Sequence, residues 1–432
     1  MSSPSTLHIA IIGSGPAGCY LAQSLLRAAP DCEITLFDRL ASPFGLVRYG
    51  VAADHQHTKS ITRQFERLFA APNVRFAGDI SVGRDVSLSE LQDHFDVVVA
   101  ATGLTADRQL PLPGSELPGV IGAGEVTRIL NAHPGAPARI PELGTDIVII
   151  GAGNVALDIL RFLVKDSAGY AGSDIADEAL AAYLADPAHR ITLISRSAAA
   201  QAKGDPQMIK ELAALPRAAY TAPGADLATP ADADRATAAR AAAVAELVAP
   251  EREPHPGPRV TLRFGATPIR ILGDSHLTGV EVGHGAETIL VPATSVITAI
   301  GFDAATTHGI AELAALPPSP ETGRVAPGLY RVGWAKRGPR GAIPENRACA
   351  KAVGDEILAD LHTGALAPDP KKSGFAALRE PIRSRAISFA QWRVLDAHEC
   401  ATAETERVRR KLPHHDQMAA IARGTAAHHT QA

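Results

Sequence analysis

The chain twice repeats one pattern: an apolar strand, a turn of small residues, a helix, and a second apolar strand. Residues 7–12 (LHIAII) are an apolar, β-branched run with turn glycines directly behind it, which reads as a buried parallel strand. Residues 16–28 read as a helix and 33–37 as the next strand, so the first unit is βαβ. The pattern returns with a strand at 146–150, a helix at 154–165 and a strand at 191–194. Two further apolar runs end in small residues, 97–103 (VVVAATG) and 296–301 (VITAIG), and each closes the half it belongs to.

Two Pro/Gly-rich stretches, 109–119 (QLPLPGSELPG) and 316–328 (LPPSPETGRVAPG), read as linkers that bracket an inserted domain. The expected architecture is α/β, with two Rossmann-like dinucleotide-binding domains, one inside the other. The outer domain comprises 1–108 and 325–432, with a C-terminal extension from about 366, and the inner one 109–324. Residues 218–249 are Ala-rich and read as an exposed loop followed by a helix, with no chemistry assigned. The His- and Ala-rich end of the tail is expected to be mobile.

Composition narrows the function. At 432 residues and 46% apolar, the chain can bury a sizeable core. A net charge of -4 argues against a general nucleic-acid binder. Cys19, Cys32, Cys349 and Cys400 form no Cys-x-x-Cys pair, which excludes a dithiol redox centre of the thioredoxin reductase kind, a zinc ribbon and a disulfide framework. Neither a signal peptide nor an apolar run of about 20 residues is visible, so a reducing cytoplasm is the expected location.

The candidate chemistry lies in the two turns. Gly13-Ser14-Gly15-Pro16-Ala17-Gly18 fits G-x-G-x-x-G between strand and helix. Gly13 permits the turn, Gly15 lets backbone approach a pyrophosphate, and Gly18 lets helix and strand pack closely. The phosphates then meet free N–H groups at the positive helix end. Asp38 ends the second strand, where a carboxylate can accept from ribose hydroxyls. The second turn is Gly151-Ala152-Gly153-Asn154-Val155-Ala156, with Ala in place of the third Gly. Its following strand ends Ser195-Arg196-Ser197, with no acid to repel a 2′-phosphate and an arginine to bind one. FAD at the first turn and NADP(H) at the second is the assignment this asymmetry supports, with hydride passing between nicotinamide and isoalloxazine.

On these and longer motifs the chain resembles the adrenodoxin reductase-like ferredoxin–NADP reductases of bacterial type. The motifs are IIGSGPAGCYLA (11–22), SPFGLVRYGVAADH (42–55), ATG (101–103), GAGNVALD (151–158) with Arg161 behind it, and GRVAPGLYRVGWAKRGPRG (323–341). Trp392, Asp396 and Glu399 resemble a W..ID..E pattern. The resemblance implies FAD contacts for Asp38 and Leu46, with Gly103 in the matching ATG turn. It places Gly333 and Trp334 beside the flavin, and aims the Gly341, Ala342 and Ile343 backbone N–H groups at its pyrimidine edge. It also implies that Asn154 and Val155 meet the NADP pyrophosphate, that His55 is the active-site histidine, and that Glu211 is its acidic partner. A ferredoxin or similar small electron carrier is the implied acceptor, and a monomer the implied state.

The chain departs from the family at Arg196-Ser197 (commonly Arg-Arg), Arg340 (Thr), Ala342 (Val) and Pro344-Glu345 (Ala-Thr), and Lys203-Gly204-Asp205-Pro206 replaces a more apolar stretch. These substitutions gather at the expected nicotinamide–flavin junction and 2′-phosphate site, so the acceptor stays open. Alternatives are a flavoprotein electron-transfer subunit, a flavin monooxygenase, an NAD(P)H oxidoreductase with another acceptor, or a sensor that binds FAD or NADPH without turnover.

Overall fold

A computed structural model describes residues 6–253, 255–304, 310, 313, 316–341 and 343–425. It contains β1 (His8–Ile12), β2 (Glu33–Phe37), β3 (Val74–Ala77), β4 (Val97–Ala100), β5 (Ala106–Asp107), β6 (Val120–Gly122), β7 (Asp146–Ile150), β8 (Arg190–Ser195) and β9 (Ala219–Thr221). The later strands are β10 (Arg259–Phe264), β11 (Ala266–Gly273), β12 (Leu277–His284), β13 (Glu287–Pro292), β14 (Ser295–Thr298), β15 (Phe302–Asp303), β16 (Arg324–Ala326) and β17 (Leu329–Arg331). Twelve of them form two six-stranded sheets, ordered β16-β17-β4-β1-β2-β3 and β6-β14-β7-β8-β10-β9, parallel except at β16–β17; β11-β12-β13 and β15-β5 form smaller sheets. The sequence expectations for β1, β2, β7, β8 and the two helices Pro16–Ala28 and Asn154–Val164 agree with this within a residue or so.

The apolar runs form strands because both sheet faces are covered. Along β1 the side chains alternate: Ile9 and Ile11 join one core, Ala10 and Ile12 the other. The C-terminal extension supplies Trp392, Leu395 and Met418 to the core of Ile9 and Ile11. The mixed-order tail therefore belongs to the fold as far as residue 425, and the end read as mobile lies outside the described residues from 426.

The chain divides into two compact units: 1–106 with 133–135 and 302–432, and 107–132 with 136–301. The last crossing thus comes at residue 301, where the sequence reading set it at 324. The reason is that 316–323 is bound structure. Arg331 donates to the Leu316 carbonyl at 3.0 Å and the Pro317 carbonyl at 2.5 Å, and Lys336 to the Pro320 carbonyl at 2.8 Å. Likewise 109–119 is no free linker. Leu110 and Leu117 pack on the core of the antiparallel sheet β11–β12–β13, and the Pro113 carbonyl accepts from Ile271 N–H at 2.9 Å. Where the sequence suggested an exposed loop and helix at 218–249, β9 is followed by helix Arg235–Leu247, with Ala241, Ala243, Val244 and Leu247 buried.

Candidate functional site

The first Gly-rich turn leaves β1 and enters helix Pro16–Ala28. Gly13 has φ +111, and a Cβ there would lie 2.5 Å from the Ala101 carbonyl oxygen, so the ATG turn packs on it. A Cβ at Gly18 would lie 2.2 Å from the Gly13 carbonyl oxygen. Gly15 differs, because the nearest atom a Cβ would meet is Gly45 Cα at 4.0 Å. The protein leaves room at Gly15, whose φ of -71 needs no glycine, and that room suits the close approach of a pyrophosphate to the backbone. No side chain caps the helix, and Pro16 occupies its first turn, where a missing N–H costs nothing. The first-turn N–H groups thus face outward for a phosphate, and this cradle fits a dinucleotide.

Asp38 closes the rim. Its Oδ2 accepts from the Ser14 N–H at 3.1 Å and the Ser14 hydroxyl at 2.5 Å, and its Oδ1 from the Leu40 N–H at 3.1 Å. Burial pushes its carboxyl above the usual range, and these donors pull it back. Each carboxylate oxygen takes about two donors, so Oδ1 keeps a lone pair for a ribose hydroxyl.

The facing wall is Phe44-Gly45-Leu46. Phe44 has φ +81, a costly conformation for a bulky residue. Its ring is fixed against Phe65, Phe389 and Trp392, with centroids 6.3–6.5 Å apart, and its N–H donates to the Ser14 carbonyl at 3.1 Å. Behind Leu46 lies a buried ion pair that the sequence did not reveal. Arg48 Nη2 meets both Glu399 oxygens, at 2.7 and 2.6 Å, with the residues 5% and 0% exposed. Trp392, two turns before Glu399 on helix Phe389–Ala401, lies on the same face, and the Arg48 guanidinium sits 4.8 Å from its ring centroid. Two residues of the W..ID..E pattern are therefore the receptor for one buried arginine. Their seven-residue spacing was the available signal. Asp396 pairs with Arg409, which also reaches Glu399 at 3.7 Å.

Gly333 (φ +68) packs on the first cradle, since a Cβ there would lie 2.5 Å from Ala17 Cβ. Trp334 stacks on Phe302 at 5.6 Å, and its indole N–H reaches the Gly341 carbonyl at 3.4 Å. Gly341 has φ +77 and lies under the Glu345 side chain, whose Cγ a Cβ would meet at 2.6 Å. Helix Ile343–Thr363 begins there, with Pro344 and Glu345 in its first turn. Ala342 lies outside the described residues. Gly103 has φ +66 with open space around it. His55 begins the short helix Gln56–Lys59, and its carbonyl accepts from Lys59 N–H at 3.0 Å. The structure thus gathers Gly13, Gly15, Pro16, Ala17, Gly18, Asp38, Leu46 and Gly333 around one turn.

The second turn repeats the design in the other unit. Gly151 has φ +125, with a Cβ 2.3 Å from the Ala299 carbonyl oxygen, while a Cβ at Gly153 would meet nothing within 4 Å. Helix Asn154–Val164 has no side-chain cap, so the N–H groups of Asn154 and Val155 suit a pyrophosphate. The Asn154 side chain is engaged: its Oδ1 accepts from Asp205 N–H at 2.8 Å. Arg196 and Ser197 follow β8, whose Ile194 carbonyl accepts from Gly151 N–H at 2.9 Å, and Arg196 is exposed. Glu211 pairs within its unit with buried Arg161, at 3.5 Å, and Arg161 also meets Asp158 at 2.8 Å. Arg161 thus orients the predicted acid.

All four cysteines are free. Burial pushes the Cys32 thiol up to about 11, and the Cys19 thiol higher still, so neither is a thiolate nucleophile. Among the described residues no helix is long and apolar enough to cross a membrane.

Comparison with known proteins agrees with this geometry. Residues 7–215 match the pyridine nucleotide-disulphide oxidoreductase family. Cindoxin reductase of Citrobacter braakii is 41% identical over 94% of this chain and 89% of its own. The mitochondrial NADPH:adrenodoxin oxidoreductase of Arabidopsis thaliana is 32% identical over 98% of this chain and 96% of its own. NADPH-ferredoxin reductase FprA of Mycobacterium tuberculosis is 33% identical over 92% of this chain and 94% of its own. The structure of FprA in complex with NADPH covers 98% of this chain and 100% of that one, with a TM-score of 0.88. The chain belongs to the adrenodoxin reductase-like ferredoxin–NADP reductases. As a member of that family it is an oxidoreductase whose cofactors are FAD and NADP(H), on two Rossmann-like folds.

Proposed function

We infer that the protein takes hydride from NADPH onto bound FAD and delivers electrons singly to a small carrier of the ferredoxin type. One observation carries this reading: two open cradles in one chain, one rimmed by Asp38 and the other by Arg196. When bound, FAD supplies the step from two-electron to one-electron transfer. The chain's own residues position and discriminate. Gly15 and Gly153 admit the pyrophosphates, Asp38 takes a ribose hydroxyl, Arg196 takes the 2′-phosphate, and Gly333 and Trp334 stand by the flavin. The backbone N–H groups of Gly341, Ala342 and Ile343 meet its pyrimidine edge and stabilise the reduced ring. His55 serves as active-site histidine, with Glu211 as its acidic partner. Relatives that act by name on cindoxin, adrenodoxin and ferredoxin support a small electron carrier as acceptor. The four free cysteines suit a reducing cytoplasm, and we assign a monomer there.

The test is anaerobic titration of the purified yellow protein with NADPH and NADH, followed by reduction of cytochrome c through added ferredoxin. Stoichiometric FAD, bleaching by NADPH before NADH, and ferredoxin-dependent cytochrome reduction are expected. Bleaching without any acceptor turnover would turn the reading toward a sensor. Within that assay, His55→Gln is expected to slow flavin reduction and change its pH profile while FAD content holds. An unchanged rate and profile would make His55 structural.

A further inference from the structure

The loop after β8, residues 198–205, borders the second cradle and is held in place from behind. Arg240, on helix Arg235–Leu247, donates through Nε to the Gly204 carbonyl and through Nη1 to the Ala200 carbonyl, both at 2.8 Å. From the front, Asn154 of the cradle accepts the Asp205 N–H at 2.8 Å. Gly204 lies so near the turn that a Cβ would be 3.2 Å from the Ala152 carbonyl oxygen. Loop and helix also share a core, because Ala202, Gly204, Val244 and Leu247 line one apolar cavity of about 20 Å³. A loop pinned at both faces presents its remaining side chains in a defined place. Lys203, between buried Ala202 and buried Gly204, is exposed at the cradle's edge. The neighbouring carboxylate of Asp205 is turned to another task, since its Oδ1 accepts the Gln207 N–H at 2.8 Å and caps helix Pro206–Ala214.

We propose that Lys203 is a second cation for the nucleotide 2′-phosphate, beside Arg196, and that Arg240 is the positioning residue that holds Lys203 there. Both cations border the same turn: Arg196 follows the strand whose Ile194 carbonyl meets Gly151, and Lys203 precedes the glycine that abuts Ala152. An ammonium is a compact point charge that suits a phosphate without the fork geometry of an arginine. Arg240 itself turns its donors to two carbonyls, and so acts through the loop. The inference rests on the NADPH reading above.

The experiment measures dissociation constants of the FAD-loaded protein for 2′,5′-ADP and for 5′-AMP, which lacks the 2′-phosphate. The NADPH reading requires the wild type to prefer 2′,5′-ADP, and a wild type with no preference sinks that reading. Given a preference, Lys203→Ala is expected to weaken 2′,5′-ADP roughly tenfold, the worth of one charge-assisted hydrogen bond, and to leave 5′-AMP unchanged. Arg240→Met keeps the stem and removes the donors, and should weaken 2′,5′-ADP by a similar factor. In the double variant the two losses should not add, because Arg240 works through Lys203. Unchanged 2′,5′-ADP affinity in Lys203→Ala overturns the proposal for the lysine. Full additivity in the double variant, or equal weakening of both ligands in Arg240→Met, overturns the positioning role. Lys203 is exposed, so the first variant is informative even if Arg240→Met fails to fold.

Discussion

The two cradles share a backbone and differ at the rim. Both begin with a left-handed glycine against a carbonyl, Gly13 on Ala101 and Gly151 on Ala299. Both then open at a glycine with free space, Gly15 and Gly153, above an uncapped helix end. The rims diverge. At the first, Asp38 is locked by Ser14 and Leu40, and the facing wall Phe44–Leu46 is braced by a buried ion pair to the C-terminal extension. At the second, Arg196 is exposed and the bordering loop hangs on Arg240 and Asn154. A rigid, enclosed rim suits a cofactor that stays, and an open, cationic one suits a nucleotide that comes and goes. The lesson is that a shared phosphate turn tells little about residence, which is decided by what stands behind the rim.

The comparison breaks most sharply if the open glycines are filled. Gly15→Val should give colourless or insoluble protein, because the side chain occupies the space left for the pyrophosphate. Gly153→Val should keep its yellow colour and FAD stoichiometry and lose NADPH-dependent flavin reduction. A soluble, fully yellow Gly15→Val protein would remove FAD from the first cradle.

Next in size is the brace. Glu399→Ala leaves the Arg48 charge buried without its partner, which costs about 3–5 kcal/mol. Thermal unfolding of the holoprotein should fall accordingly, with loss of FAD before unfolding, while Glu399→Gln should lie between. A melting temperature within a degree of wild type would show the pair to be dispensable to the wall.

At the second rim, Arg196→Ala should lower kcat/KM for NADPH roughly tenfold to hundredfold and change NADH little. If the variant keeps its preference, the 2′-phosphate is read elsewhere.

The smallest effect concerns the helix that begins at Ile343. The Glu345 stem lies over Gly341; if the flavin's pyrimidine edge meets this helix start, as proposed above, the carboxylate adds negative charge where the reduced ring would gather its own. Glu345→Thr should raise the FAD midpoint potential on the order of 10–30 mV, as ~0.5–1.4 kcal/mol amounts to for a two-electron couple. A fall, or no shift in a spectroelectrochemical titration, would turn that carboxylate away from the flavin.

Much of this site was legible along the chain, and the illegible parts have a common cause. Each glycine turn and its rim residue, Asp38 or Arg196, lie within a single βαβ unit, where a few dozen residues encode strand, turn and helix by periodicity alone. Arg48 and Glu399 stand 351 positions apart, and no local signal pairs the two. The helix within 218–249 was legible, but its buried face was not, because alanine is nearly neutral in hydropathy and an Ala-rich helix shows no apolar face even where Ala241 and Ala243 are buried. The segment 316–323 looked like a linker for the same kind of reason. Pro and Gly mark a break in regular structure, and the arginine and lysine that tie it down come later, at 331 and 336.

By itself, then, the sequence determined the α/β class, the two phosphate turns and the unlike residues at their rims, because each is set by short-range steric and hydrogen-bonding rules. Only the tertiary structure decided where the chain changes unit, that Phe44 is held in a strained conformation, that Trp392 and Glu399 enclose Arg48, and that Arg240 pins the loop carrying Lys203. Those features depend on which distant segments share a core, and burial of a charge or a strained backbone is stable only when remote partners surround it.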